Sequence, residues 1–263
     1  MLTLFSVPKP FRGRIGDNQR AALASWVALG PDVQVVVLGD EQGAAEAARA
    51  AGAEHVGEVG RTARGTPRLD AALAAVDAVA RHPLRALVNA DVLLFGDLLA
   101  SAQAVARAAP RFLLVGETLD VDEPVTREQA RRLGSPRGVA ALDWFVFPAG
   151  LYPEVPPFAL GRACFDNWLV WQARRRGIVV DASHDVVAAH LRHGYDHLAG
   201  GKEEAYYGEE AARNLELAGG KGRLYTLHDA SHVLRDGRLR RNPGAALRWR
   251  ERLRKAAWKL GRR

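Results

Sequence analysis

The chain has 263 residues, 48% hydrophobic and 25% charged, with 37 Lys and Arg against 30 Asp and Glu and a net charge of +7. This is the composition of a globular chain long enough to bury a large core, and it excludes a disordered or fibrous one. A single cysteine, Cys164, excludes an intramolecular disulfide and any multi-cysteine metal site. No window nears the roughly eighteen uninterrupted apolar residues of a membrane span. The N-terminus lacks the basic segment and apolar core of a signal peptide, so a cytoplasmic location is expected. The positive excess favours an anionic partner: phosphate, nucleic acid or a lipid surface.

Leu2–Val7 reads as a first strand, ended by Pro8 and Pro10. A helix is expected over Asp17–Leu29, a strand over Val33–Leu38, a helix over Glu41–Ala51 and a short strand at His55-Val56. A polar loop, Gly57–Thr66, precedes a helix opened by Pro67 and running to Arg81. Leu84–Val88 is an apolar run with the length and turn-bounded ends of a buried parallel strand. Residues 1–95 therefore read as βαβαβ(loop)αβ, the pattern of a doubly wound parallel sheet. A helix over Asp97–Ala109 and a strand over Arg111–Val115 follow. Beyond residue 115 the alternation breaks. A short helix near Glu128–Leu133, a strand over Ala140–Phe147, an amphipathic helix over Gly161–Arg176, and strands over Ile178–Asp181 and Val186–His190 are expected. The organisation expected is a nucleotide-binding half (1–115), an acceptor and catalytic half of the same domain (116–240), and a basic C-terminal helix (241–263).

Several stretches carry chemistry. Asn89-Ala90-Asp91 lies at the carboxyl end of a buried strand, where open α/β sheets bind ligands. Alternate residues of an extended chain face the same side, so Asn89 and Asp91 suit a divalent cation that in turn takes phosphate oxygens. The plainer alternative is that Asp91 caps the following helix. The loop Arg61–Arg68 brings Arg61, Arg64 and Arg68 to a helix N-terminus, either as a phosphate clamp or as a solvated basic loop. Asp166 sits in the first turn of an aromatic-rich helix, where burial can make a carboxylate a usable base; the alternative is that it complements the helix dipole. His190 and His193 follow a strand and could offer neutral nitrogens to a metal, or be ordinary histidines. Asp143, within an aromatic strand, could hold a sugar hydroxyl or satisfy backbone donors in a turn.

No G-x-G-x-x-G follows the first strand, and no G-x-x-x-x-G-K-[ST], H-E-x-x-H or G-x-S-x-G occurs, which counts against hydride transfer, P-loop chemistry, zinc proteolysis and serine hydrolysis.

One set of motifs recurs in order. Pro8-Lys9-Pro10-Phe11 is followed by a helix with Gln19-Arg20, Ala22 and Ser25-Trp26. Next come Leu38-Gly39-Asp40-Glu41, Gly65-Thr66-Pro67 and Val88-Asn89-Ala90-Asp91. Trp144-Phe145-Val146-Phe147-Pro148, Asp166-Asn167-Trp168 and the His190/His193 pair complete it. This set resembles the nucleotide-diphospho-sugar transferases of GT-A fold, over roughly residues 1–235. The resemblance implies a GT-A-like, mostly parallel α/β sheet flanked by helices, with a mixed C-terminal half forming the acceptor side. It implies a nucleotide sugar bound by Pro8, Asp40, Arg61, Arg64, Thr66, Asn89, Asp91 and Asp143. It implies Mn²⁺ or Mg²⁺ on Asp91, His190 and His193, and Asp166 as the base that deprotonates an acceptor hydroxyl, with inversion slightly preferred. Asn89 departs from the Asp-x-Asp signature of the family and offers an oxygen without charge.

Two other classes stand beside this reading. A sugar-phosphate nucleotidyltransferase would carry a glycine-rich basic loop where Pro8-Lys9-Pro10 stands. A nucleic-acid-binding protein would interleave basic and aromatic residues along a groove-sized element, a pattern present only at the C-terminus. There, after Asn242-Pro243, residues 245–263 read as a helix with Trp249 and Leu253 on one side and Arg248, Arg252, Lys255, Lys259 and Arg262 beside them. It is expected either to dock on the domain or to lie on an anionic membrane surface, which would place the protein on the inner face of the membrane with a glycan or lipid-linked acceptor.

Overall fold

A computed structural model of the chain describes residues 1–194, 199–245 and 248. The first half runs β1 (Leu2–Ser6), α1 (Gly13–Val27), β2 (Val33–Leu38), α2 (Ala44–Ala51), β3 (Glu54–Val56), α3 (Leu69–Val79), β4 (Leu84–Val88), β5 (Val92–Leu94), α4 (Asp97–Ala108) and β6 (Phe112–Val115). The second half runs β7 (Leu119–Val121), α5 (Arg127–Leu133), β8 (Ser135–Pro136), β9 (Trp144–Pro148), α6 (Phe165–Arg176), β10 (Ile178–Asp181), β11 (Ala188–Leu191), α7 (Gly201–Tyr207), α8 (Glu209–Leu217), β12 (His232–Arg235) and β13 (Arg238–Arg241).

Nine strands form the main sheet in the order β13-β12-β10-β6-β9-β4-β1-β2-β3. The pairs β1/β2, β1/β4, β2/β3, β6/β10 and β10/β12 are parallel, whereas β9 runs antiparallel between β4 and β6, and β13 antiparallel to β12. Alternation along the strands builds a core on each face. Leu2, Leu4, Val35, Val37, Ala86 and Val88 point to one face, under α1, α2 and α4. Phe5, Val36, Leu38 and Leu87 point to the other, under α3 and α6. The two apolar halves of residues 84–94 belong to different sheets. β4 lies in the main sheet, while β5 joins a second sheet in the order β5-β11-β7-β8.

Several expected boundaries shift for local reasons. α1 starts at Gly13 rather than Asp17, and within it the Asn18 side chain donates to the Leu191 carbonyl, at 3.1 Å. Gly16 sits where a Cβ would meet the Phe11 carbonyl carbon at 2.5 Å, so only glycine lets the helix turn so close to the preceding loop. α2 starts at Ala44, after Gly43 in the left-handed region (φ 82°). Pro67 and Arg68 bridge to Arg61 and Ala159 and stay extended, which delays α3 to Leu69. Cys164 (φ 87°) delays α6 to Phe165. β9 begins at Trp144, so Asp143 precedes the strand rather than lying inside it. β11 covers Ala188–Leu191 instead of Val186–His190. The helix expected over 245–263 lies outside the described residues beyond Ala245 and Arg248. Among the described residues no helix is long and apolar enough to cross a membrane.

Candidate active site

Three chain segments meet beyond the carboxyl end of β4. β11 pairs antiparallel with β5, setting His190 opposite Val92, and the Leu191 amide donates to the Asp91 carbonyl at 2.9 Å. That register brings His190 and His193 to Asp91. Asp91 is 4% exposed. Its Oδ2 lies 2.8 Å from His193 Nε2 and 3.0 Å from Lys9 Nζ, and its Oδ1 lies 3.7 Å from His190 Nε2. Burial opposes ionisation of Asp91, but the Lys9 ammonium and the two imidazoles outweigh it and hold its carboxyl well below the ordinary range. Asp91 therefore does not cap the helix after it, which starts at Asp97.

The residues fit a divalent cation. The ligand atoms of Asp91, His190 and His193 lie within 4.8 Å of one another. The 3.7 Å from His190 Nε2 to Asp91 is too long for a hydrogen bond yet suits two ligands of one ion. His190 Nδ1 lies 2.8 Å from Asp120 Oδ1, the carboxylate partner that keeps Nε2 as the ligating nitrogen of a metal-bound histidine. Arg137 Nη1 also reaches this corner, 2.8 Å from Asp120 and 2.6 Å from His190 Nδ1. Burial, helped by the Arg137 charge, lowers the pKa of His190 and favours the neutral ring that a metal needs.

Asn89 faces a different neighbour. Its amide nitrogen donates to Asp143 Oδ1 at 2.9 Å, and its backbone amide donates to the Asp143 carbonyl at 2.8 Å. Arg137 Nε lies 3.1 Å from Asp143 Oδ2, an ion-pair distance without a hydrogen bond, so this buried aspartate has an amide on one oxygen and a guanidinium charge beside the other. Asp166 is held by much less. Its Oδ1 is buried without a hydrogen-bond partner among the described residues. Burial, reinforced by the Asp143 charge, raises its pKa to about 7 against the opposing backbone amides.

The arginine loop is engaged with acids. Arg61 pairs with Asp40, and with Glu41 at 2.9 Å. Arg64 reaches Glu209 at 2.8 Å, and Thr66 Oγ1 donates to Glu210 Oε2 at 2.6 Å. Glu210 also accepts from Thr62 and pairs with Arg162, so the loop is fastened to α8. One cavity of about 1890 Å³ opens onto Pro8, Lys9, Arg64, Thr66, Asn89, Asp91, Asp143, Asp166, His190 and His193. Asp40 and Arg61 lie outside its lining.

This arrangement, a mostly parallel sheet with its cavity at the strand ends, has counterparts among solved structures. Residues 1–349 of Staphylococcus aureus TarS, solved with UDP-GlcNAc, match at 16% identity and a TM-score of 0.54, over 82% of this chain and 65% of that one. The chain thus spans just under two thirds of that structure. Glucosyl-3-phosphoglycerate synthase from Mycobacterium tuberculosis matches at 16% identity and a TM-score of 0.52 in its complex with phosphoglyceric acid, over 84% of this chain and 80% of that one. Its complex with Mg²⁺ and UDP matches at 15% identity and a TM-score of 0.50, again over 84% and 80%. The chain has the GT-A fold. No protein-family profile and no curated protein matches the sequence.

Three residues of the site escape sequence reasoning. Lys9 is visible only as part of a proline-flanked strand end. Asp120 and Arg137 lie in a charged stretch where sequence shows only a short helix. Their signal is β7 and β8, two short strands that pair with each other and, through β11, carry Asp120 to His190.

Proposed function

We propose that this chain is a glycosyltransferase that moves a sugar from a nucleotide diphospho-sugar to a hydroxyl acceptor. The observation that carries the reading is Asp166, a carboxyl with a pKa near 7 and an unpartnered oxygen, in the same cavity as the Asp91–His190–His193 cluster. A general base works best when its pKa lies near the operating pH. Asp166 accepts the acceptor's hydroxyl proton. The oxygen forms its bond to the anomeric carbon, and the bond to the diphosphate breaks with its electron pair leaving on the diphosphate. A single base on the acceptor side favours inversion. Asp91, His190 and His193 would hold Mn²⁺ or Mg²⁺, which would supply positive charge to offset that growing on the leaving diphosphate. Arg64, Thr66 and Asn89 line the donor side, with Asp143 placed toward the sugar. The GT-A neighbours that bind UDP-GlcNAc or UDP support a nucleotide-sugar donor here.

The acceptor in this reading is a glycan or lipid-linked hydroxyl at an anionic membrane face. It draws on residues 245–263, which hold eight Lys or Arg against one Glu. Co-sedimentation with anionic vesicles at low salt, reversed at high salt, is the expected behaviour.

A thermal-shift screen of nucleotide sugars with and without Mn²⁺, followed by assay of nucleoside diphosphate release, tests the function. At least one donor raises Tm and is turned over. Pyrophosphate release from a sugar phosphate and a nucleoside triphosphate, with no stabilisation by any nucleotide sugar, overturns it in favour of a nucleotidyltransferase.

A further inference from the structure

The Asp91 cluster contains a cation of its own. Lys9 Nζ lies 3.0 Å from Asp91 Oδ2 and 3.1 Å from His193 Nε2, and those two atoms are 2.8 Å apart. The Lys9 ammonium sits against both of these atoms. It stands against the atoms that would bind a metal.

The main chain of Lys9 is fixed independently of its side chain. Lys9 N–H donates to Gln19 Oε1 at 2.7 Å, and Gln19 Nε2 donates back to the Lys9 carbonyl at 2.8 Å. Gln19 is 1% exposed, and prolines flank Lys9 on both sides. Beyond that clamp the side chain is 27% exposed and opens into the large cavity. A lysine stem with rotatable bonds on a pinned backbone can move its ammonium without moving the strand end.

We propose that Lys9 Nζ and a divalent cation are mutually exclusive occupants of the Asp91–His193 pair, Lys9 holding the two ligands together until the metal arrives and then swinging into the cavity. The proposal rests on the reading of Asp91, His190 and His193 as a cation site. A divalent cation on Asp91 and His193 would need the single lone pair of His193 Nε2 and the position that Lys9 Nζ occupies between the two, and two positive charges a few ångströms apart in a buried site repel. Lys9 therefore lowers the metal affinity of the free protein. Once displaced, its charge becomes available to an anion in the cavity.

The test is Mn²⁺ titration of the full-length protein without nucleotide, followed by electron paramagnetic resonance of free Mn²⁺. Lys9→Met keeps the length of the stem and removes the charge, and should bind Mn²⁺ at least tenfold tighter than the wild type. Lys9→Arg keeps the charge and should show no gain. Equal or weaker Mn²⁺ binding by Lys9→Met, or no binding by either protein, overturns the proposal. A second measurement needs no variant. In the wild-type chain, acetylation of Lys9 by acetic anhydride, read by mass spectrometry, should rise severalfold when Mn²⁺ alone is added. An unchanged rate overturns the proposal even if Lys9→Met fails to fold. Neither readout involves sugar transfer. A chain that shows the competition but turns over no nucleotide sugar refutes the proposed function and leaves this inference standing, and the reverse result refutes only the inference.

Discussion

Two aspartates in one cavity show opposite chemistry. Asp91 has Lys9, His190 and His193 around it and is held ionised well below the usual carboxylate range. Asp166 has an orphaned oxygen and the like charge of Asp143 for a neighbour, and its pKa rises to about 7. Burial raises the pKa of both; what differs is the company. Titratable groups whose environments push them apart mark the acid–base assignments of a site. Here they separate a carboxylate held anionic from a group able to take and release a proton near neutrality.

The strongest way to break this comparison is to remove the ionised partner. Asp91→Ala should lower sugar transfer by on the order of 10³-fold, the scale of losing a major electrostatic contact at a reacting centre. Circular dichroism should show the fold retained, since Asp91 supports no helix cap. Full turnover in this variant, with or without Mn²⁺, would remove Asp91 from the chemistry. Next in size is Asp166→Asn, which keeps the shape and cannot accept a proton. Turnover should fall roughly 10²-fold or more, while nucleotide affinity by calorimetry stays within about twofold. A parallel loss of nucleotide affinity would make Asp166 a donor-site residue.

The same pair can be sharpened by pH. In the wild type kcat/KM should rise as pH increases through about 7, where Asp166 becomes a base. Asp143→Asn removes a like charge and should shift that midpoint downward; an upward or absent shift would mean Asp143 does not act on Asp166.

Stability provides the smallest and most discriminating effect. The folded pKa of Asp166 lies above its ordinary value of 3.8, so the folded state binds the proton more tightly than the unfolded chain. Its contribution is full below pH 4 and is lost as pH rises from there through about 7. Removing a buried charge that nothing compensates should make Asp166→Asn more stable than the wild type at pH 8, by a few kcal/mol, with the gap closing toward pH 4. Thermal melts at the two pH values measure it. Equal gaps at both would show that Asp166 is solvated and unperturbed.

Sequence by itself carried the long apolar strands of the fold. β2, β4 and β10 fall on Val33–Leu38, Leu84–Val88 and Ile178–Asp181, as their apolar runs require. Buried parallel strands are continuous hydrophobic stretches whose limits are set by local turn chemistry. The Asp236-Gly237 hairpin joining β12 and β13 was equally local. Both residues adopt positive φ, and an Asp-Gly pair is among the strongest short-range hairpin signals. β7, β8 and the partners of β11 were not legible, because strands of two to four residues acquire their identity only by pairing across the chain. The site divides in the same way. Residue types at strand ends nominated Asp91, His190 and His193, and an acid in the first turn of an aromatic-rich helix nominated Asp166. Only the tertiary structure decided that Lys9 would sit on Asp91, that Asn89 would turn to Asp143, and that Arg61 would pair with Asp40 and Glu41. Those outcomes depend on which charges the fold brings within a few ångströms, over separations of up to 82 residues in sequence. A buried charge takes whatever partner it meets there, and no local pattern in the chain records which one that will be.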